Sequence, residues 1–296
     1  MRRYPLISGL LVCIILFNIA QHATHSTWSF FTIEKFDWDE KLVGYSLGFI
    51  GILAAIVQGG LIRVIIPKFG KVNSPYKQKF VIPRQANLAN AAIGIIELNK
   101  EFTDFDCLRG IDQFTHLWII YFLHETASQG WAPTVQPPRL GGKKKVGVFS
   151  SRAAFRPNPI GISAVKYIEH FKKNGSVFIK ISGMDLLDGT PVLDIKPYIP
   201  YADSIPNADG GYASEKPQQR LSVEFSDNAE KKLITLETKR ENLRSLIEQV
   251  LSLDPRPAWE INTPGQKQYG ATLFDINIKF HVHEETVLVK ELHQLQ

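Results

Sequence analysis

The sequence predicts a mainly β fold: an antiparallel β-barrel, a small α+β C-terminal domain behind it, and a two-helix membrane hairpin in front. Three observations predict this. Between Lys71 and about Ala213, short runs of branched and aromatic residues alternate with Pro- and Gly-rich turn signals, without a long helical period. After Leu221, one run with helical spacing stands among strand-like runs. Ahead of Gly70 lie two uncharged segments near the length of a bilayer span. The expected organisation is 1–70 hairpin, 71–213 barrel and 214–296 C-terminal domain.

In the hairpin, Arg2 and Arg3 precede "YPLISGLLVCIILFNIA", Tyr4 to Ala20, which is 17 residues without a charge. The second run, Leu42 to Ile62, has 21 uncharged residues and is closed by Arg63 and Lys68. Between the runs, Glu34, Asp37, Asp39 and Glu40 outnumber Lys35 and Lys41. Basic outer flanks place both termini in the cytoplasm. A cleaved signal peptide is an alternative for the first run, but no small-x-small site follows Ala20. Buried core helices are a second alternative. The segment "FDWDEKLVGYSLGFIGILAAIVQG" resembles a piece of a major-facilitator efflux transporter of the tetracycline-resistance kind. Such transporters use about a dozen helices, so two make no transport path. A membrane transport component would also need spans after Ile66, where there are none.

In the barrel region the expected strands lie in "FTHLWIIYFLHET", "KVGVFS", "SAVKYIEHF", "SVFIKISG" and "TPVLDIKPYI". Turns at "QGWAPTVQPPRLGG", "RPNPIG" and "LLDGTP" separate them, which suits an antiparallel sheet or barrel. "PNADGGYASEKPQQ" reads as a linker. The C-terminal domain opens with a strand, "RLSVEF". A helix follows near Asp227, where Asp227 and Glu230 have the spacing of a capping pair. Leu233, Leu236, Leu243, Leu246, Ile247 and Val250 give it one apolar face, and Pro255 stops it. Two further strands, "TLFDINIKFHV" and "TVLVKEL", complete the unit.

The net charge of +5 leans toward an anionic partner. Cys13 and Cys107 are too few and too differently placed for a disulfide framework or a Cys-based zinc site. From Thr134 to Ile168 there is no acid, yet Arg139, Lys143, Lys144, Lys145, Arg152, Arg156 and Lys166 fall there. That run is either a solvated face or a surface for phosphates and carboxylates. There is no G-x-G-x-x-G after a strand, no P-loop spacing around "GGKKK" and no G-x-S-x-G elbow. His281 and His283 share one face of a predicted strand, but no third metal ligand accompanies them, and no functional metal is expected.

What remains is a set of polar loops at strand ends: Pro83, Arg84 and Gln85; His124 and Glu125; Arg152, Arg156 and Asn158; Asp185, Asp188 and Asp194. Singly, each reads as turn chemistry. Together they read as a pocket rim with donors and acceptors, and composition leaves the ligand open.

The segments "SPYKQKFVIPRQ", "RGIDQFTHLWIIYFLHET", "GWAPTVQPPRLGG", "GVFSSRAAFRPNPIGIS", "DLLDGTPVLDIKPYIPYADS" and "DPRPAW" occur in that order. They resemble the bacterial tRNA methyltransferases that act on the N6 nitrogen of threonylcarbamoyladenosine, next to the anticodon. The resemblance runs from Gly70 to His293. It implies a β-barrel that binds S-adenosylmethionine without a Rossmann domain and acts as a homodimer, with the site close to the subunit interface. It also implies cofactor contacts from Pro83, Arg84, Gln85, His124, Glu125, Arg152, Ile162, Asp185, Leu186, Leu187 and Asp188. Glu125 stands where relatives often have glutamine. Phe69-Gly70 stands where relatives carry Ile-Gly, so "IRVIIPKFG" is expected to complete the first strand. Lys143, Lys144, Lys145 and Arg156 are the expected contacts to the tRNA anticodon loop. The residue that takes the proton is not named by the sequence. The catalytic part is expected in the cytoplasm, anchored in the inner membrane through residues 4–66. A non-catalytic RNA-binding barrel is the rival reading, which cofactor binding by calorimetry separates.

Overall fold

The computed structural model describes residues 27–56, 69–217, 221–256, 260 and 267–295. The chain forms two compact units, Met1–Pro67 and Lys68–Gln296. In the first, residues 27–36 are helical, 37–39 reverse the chain, and α1 spans Glu40–Ile56. Trp28 Nε1 donates to Ser46 Oγ across 3.0 Å, tying the helices together, and Asp39 Oδ1 accepts the Leu42 N–H at 2.8 Å. The expected span Tyr4–Ala20 lies outside the described residues, as does the end of the second run beyond Ile56. Among the described residues no helix is long and apolar enough to cross a membrane. Part of the expected connecting loop is instead helix. "WSFFTIEKF" holds no Pro or Gly to interrupt it, and Asp37, at φ 56°, ends it.

In the second unit the strands are β1 (Gly70–Asn73), β2 (Ile93–Leu98), β3 (His116–Phe122), β4 (Thr134–Val135), β5 (Val146–Gly147), β6 (Ile160–Lys173), β7 (Ser176–Ser182) and β8 (Pro191–Pro197). Six of them close a barrel in the order β1-β2-β7-β6-β3-β8, with antiparallel pairings, while β4 and β5 form a separate ribbon. Alternate residues point inward, so Ile96, Leu117, Ile119, Val165, Val177, Ile179, Ile181 and Val192 are fully buried. Each such side chain contributes about 1.5–3 kcal/mol through burial. Asn174 and Gly175, both at positive φ, make the two-residue turn between β6 and β7. Two expected strands end early. "KVGVFS" pairs only at Val146–Gly147, because Ser151 and Arg156 capture the Val148 carbonyl and curl the chain. "FTHLWIIYFLHET" stops at Phe122, and a single helical turn, α2 (His124–Ala127), follows. Phe69 extends β1 by donating its N–H to Val192 O at 2.9 Å; the rest of "IRVIIPKFG" lies outside the described residues.

The C-terminal part comprises β9 (Ser222–Phe225), α3 (Asp227–Glu237), α4 (Leu243–Ser252), β10 (Gln268–Leu273), β11 (Ile276–His283) and β12 (Thr286–Gln294). Its sheet runs β10-β11-β12-β9, with β9 parallel to β12. The expected single helix is two, because Asn242 takes φ 61° between them. The N-cap is Ser226, whose Oγ accepts the Ala229 N–H at 3.2 Å; Glu230 instead pairs with Arg244 across the helix gap. "TLFDINIKFHV" is a hairpin rather than one strand, since Phe274 turns at φ 54°. This sheet and α4 together grip the β1–β2 connection. Phe274 N–H donates to Pro75 O at 2.7 Å, Thr272 N–H to Gln78 Oε1 at 3.2 Å, and Ala91 N–H to Gln249 Oε1 at 2.8 Å.

Candidate active site

The β1–β2 connection carries Pro83, Arg84 and Gln85 past the end of the barrel. Pro83 is buried, Arg84 exposed and Gln85 between the two. Asn87 fixes the path that follows: at φ 62° it donates its N–H to Gly183 O at 2.7 Å and its Nδ2 to Ala164 O at 3.0 Å. Position 183 must be glycine, since its φ is 72° and a Cβ would stand 2.7 Å from Asn87 Oδ1.

Arg152 meets this loop from the other side, donating from Nη1 to Gln85 Oε1 at 2.7 Å. Asp185, three residues past the end of β7, is half-buried and accepts Ser163 Oγ at 2.5 Å. Burial pushes its carboxyl up from the usual carboxylate value, against the Ser163 hydrogen bond and the field of Arg152. It forms no ion pair among the described residues. Tyr121 OH lies 3.4 Å from Ser163 Oγ. Burial and the Asp185 charge raise that phenol to about 12, so it is a protonated donor at neutral pH. Tyr121 faces Gly161 in register, and a Cβ on Gly161 would sit 2.3 Å from its ring. Gln85, Arg152, Asp185, Ser163 and Tyr121 thus form one polar cluster at the barrel mouth.

The other expected contacts are placed differently. Leu186 is buried, with its carbonyl held by Ser74 Oγ at 2.7 Å. Leu187 is partly buried and accepts Thr190 Oγ1 at 2.7 Å through its carbonyl. The Asp188 carboxylate is engaged inside the fold, by the Ser74 N–H at 2.9 Å and Lys77 Nζ at 2.5 Å. His124 is half-buried, with Nε2 3.5 Å from Glu125 Oε1, and Glu125 also faces Lys79 at 3.5 Å. Ile162 is 49% exposed and lies on the face of β6 opposite Ser163, away from the cluster. Arg156 braces its own loop: Nη1 donates to Val148 O at 3.1 Å and Ser151 O at 2.9 Å, and the guanidinium lies over Phe149. Lys143, Lys144 and Lys145 are exposed in the loop joining β4 and β5. Asp194 pairs with Lys196 at 3.1 Å on the barrel wall. His281 and His283 lie on the face of β11 opposite its buried residues, and no cluster that could hold a metal exists among the described residues.

Sequence reasoning missed Ser163 and Tyr121. Both lie in the motif segments, and the signal was a tyrosine and a glycine set to face each other across β3 and β6.

Residues 71–204 match the family described as the tRNA-methyltransferase O N-terminal domain, and residues 218–295 match the TrmO C-terminal domain. The chain belongs to the TrmO family. A tRNA (adenine(37)-N6)-methyltransferase of Escherichia coli (strain K12) is 44% identical over 215 residues, covering 73% of this chain and 92% of that protein. A putative S-adenosylmethionine-dependent methyltransferase, RcsF, of Pseudomonas aeruginosa is 41% identical over 217 residues, 73% of this chain and 91% of its own. A crystal structure of TrmO from Pseudomonas aeruginosa superposes with a TM-score of 0.64 at 35% identity, covering 77% of this chain and 97% of that one. The TrmO matches begin at residue 71, so the helical unit before it stands outside them.

Proposed function

We propose that this protein transfers a methyl group from S-adenosylmethionine to the N6 nitrogen of threonylcarbamoyladenosine beside the tRNA anticodon. The barrel (71–213) would be catalytic and 214–296 its second domain. The observation that carries this reading is the Gln85–Arg152–Asp185–Ser163–Tyr121 cluster, built from the motif loops of a TrmO chain. The donor set fits the cofactor. Arg152 with Gln85 suits its carboxylate, and Asp185, without an ion pair among the described residues, suits its cationic centres. Pro83, Arg84, His124, Glu125 and the backbone of Leu186, Leu187 and Asp188 would complete the holding set.

The bound cofactor supplies an electrophilic methyl carbon, so no metal is needed. The adenine N6 is a poor nucleophile because its lone pair is delocalised into the ring. The chain therefore contributes chiefly orientation, which is worth several kcal/mol, up to about 7–11 when the geometry is ideal. Ser163 fixes the Asp185 carboxylate, and Tyr121 keeps its proton and offers a steady donor. Exposed Phe149, Phe155 and Ile160, in the same stretch of chain as Arg152, support a homodimer with the site near the interface. Lys143, Lys144 and Lys145 would meet tRNA phosphates. Support for a membrane association of residues 4–66 comes from their uncharged runs and from exposed Leu42, Tyr45, Phe49 and Ile52 on α1. The catalytic barrel would then face the cytoplasm. The test is incubation of the full chain with tRNA and isotope-labelled S-adenosylmethionine, then nucleoside mass spectrometry. Label on threonylcarbamoyladenosine is expected; absence of label on any tRNA nucleoside would overturn the reading.

A further inference from the structure

A cleft of about 330 Å³ opens where the β1–β2 loop, the linker ahead of β9 and helix α4 meet. Asn87 and Asn90 line it from the loop, Lys216 from the linker and Gln249 from α4. None of these is among the expected cofactor contacts. The hydrogen bonds show which atoms are left over. Asn87 Nδ2 is committed to Ala164 O, leaving Oδ1 as an acceptor. Gln249 Oε1 holds the Ala91 N–H, leaving Nε2 as a donor. Asn90 and Lys216 are exposed, and Lys216 faces no acid within ion-pair distance among the described residues.

Carboxamides present a donor and an acceptor side by side, the pattern that matches the edge of a nucleobase, and a lysine suits a phosphate. Leu88 and Leu253 add apolar walls against which a base can lie. The volume stands at the small end of the ligand range of about 300–1,000 Å³, which admits one nucleotide and not a folded loop. Asn87 is two residues from Gln85, so the cleft and the methyl-transfer cluster share one short loop. We propose that this cleft holds a single unpaired tRNA nucleotide flanking the methylated adenosine, its base edge on Asn87, Asn90 and Gln249 and its phosphate on Lys216. The proposal rests on the tRNA methylation reading and deepens it.

The test uses the full chain, an anticodon stem-loop RNA as probe, and the double variant Asn90→Ala/Lys216→Ala, which removes no hydrogen bond within the described fold. KM for the RNA is expected to rise roughly tenfold or more, as for one lost charged contact plus an amide contact. kcat and the calorimetric affinity for S-adenosylmethionine should stay unchanged, and Lys216→Arg should restore most of the loss. An unchanged KM in the folded variant overturns the proposal. A parallel loss of cofactor affinity also overturns it, since the cleft would then belong to the cofactor site. A wild-type protein that methylates no RNA overturns the underlying function itself, whereas an active wild type with an indifferent variant overturns only the cleft.

Discussion

Arg152 Nη1 donates to Gln85 Oε1 across 2.7 Å, joining two polar loops that lie 67 residues apart in the chain. The bond orients the guanidinium and leaves its other donors without a hydrogen bond among the described residues. Arg152→Ala is expected to weaken S-adenosylmethionine binding about tenfold to hundredfold, the equivalent of about 1.5–3 kcal/mol for a charged hydrogen bond. Gln85→Ala should weaken it less, because the charge stays. Calorimetry on the folded variants measures both, and an unaltered affinity for Arg152→Ala removes that residue from the cofactor site.

Asp185 gives a pH signature with a definite sign. Its carboxyl is raised above the ordinary value of 3.8, chiefly by burial, so the folded state holds the proton more tightly than the unfolded chain does. The contribution to stability is therefore full below 3.8 and is lost as pH rises through the folded pKa. Asp209, Asp275 and Glu291 shift the opposite way, so whole-protein curves mix both signs. The difference between wild type and Asp185→Asn isolates the one group. Thermal melting across acidic pH should show the wild type losing ground relative to the variant as pH rises. A flat or rising difference contradicts a raised Asp185.

Gly161→Ala tests the close approach at the barrel mouth. The new methyl would stand 2.3 Å from the Tyr121 ring, which is held in the barrel and cannot swing away freely. Overpacking of this kind costs about 1–3 kcal/mol. The displaced ring would also leave Ser163. A lowered melting temperature together with weaker cofactor binding is expected, and a variant of wild-type stability would show that the ring is mobile.

The barrel was legible because its strands carry a period of two, punctuated by Pro, Gly and the Asn174–Gly175 turn. The chemistry within the motif loops was less so. Asp185 and Asp188 look alike in the sequence, yet one borders the cluster and the other is held by Ser74 and Lys77. Only the close packing of Ser74 and Lys77 against the segment 185–188 separates them. Arg156 reads as a free cation until its partners are known to be carbonyls five and eight residues back in its own loop. The division of α3 from α4 depends on Asn242 adopting positive φ, which asparagine tolerates but does not announce.

The acid-free basic stretch divides into two kinds of residue, and a salt titration tells them apart. Lys143, Lys144 and Lys145 are exposed, so replacing all three by alanine should leave folding and cofactor affinity intact. If each neutralises one phosphate, the slope of log affinity for tRNA against log salt should flatten by about 2. Arg156→Ala should instead lower thermal stability by removing two bonds to buried-side carbonyls, about 1–3 kcal/mol together. An unchanged salt slope for the triple variant removes the lysines from the RNA interface.

Deleting residues 1–58 tests membrane association apart from catalysis. Every residue of the cluster lies beyond Gly70, and the TrmO matches start at residue 71. The helical unit carries exposed Phe30, Phe36, Tyr45, Phe49 and Ile52, more apolar surface than a chain surrounded by water usually shows. Full-length protein is therefore expected to sediment with membranes. The form lacking residues 1–58 should remain in solution and methylate tRNA with unchanged kcat/KM. The cut spares Arg63 to Gly70, the stretch that leads into β1. Full-length protein found free of the membrane fraction would overturn the association. A truncated form that folds and binds cofactor yet leaves tRNA unmethylated would mean that the first unit takes part in substrate binding, because nothing else was removed.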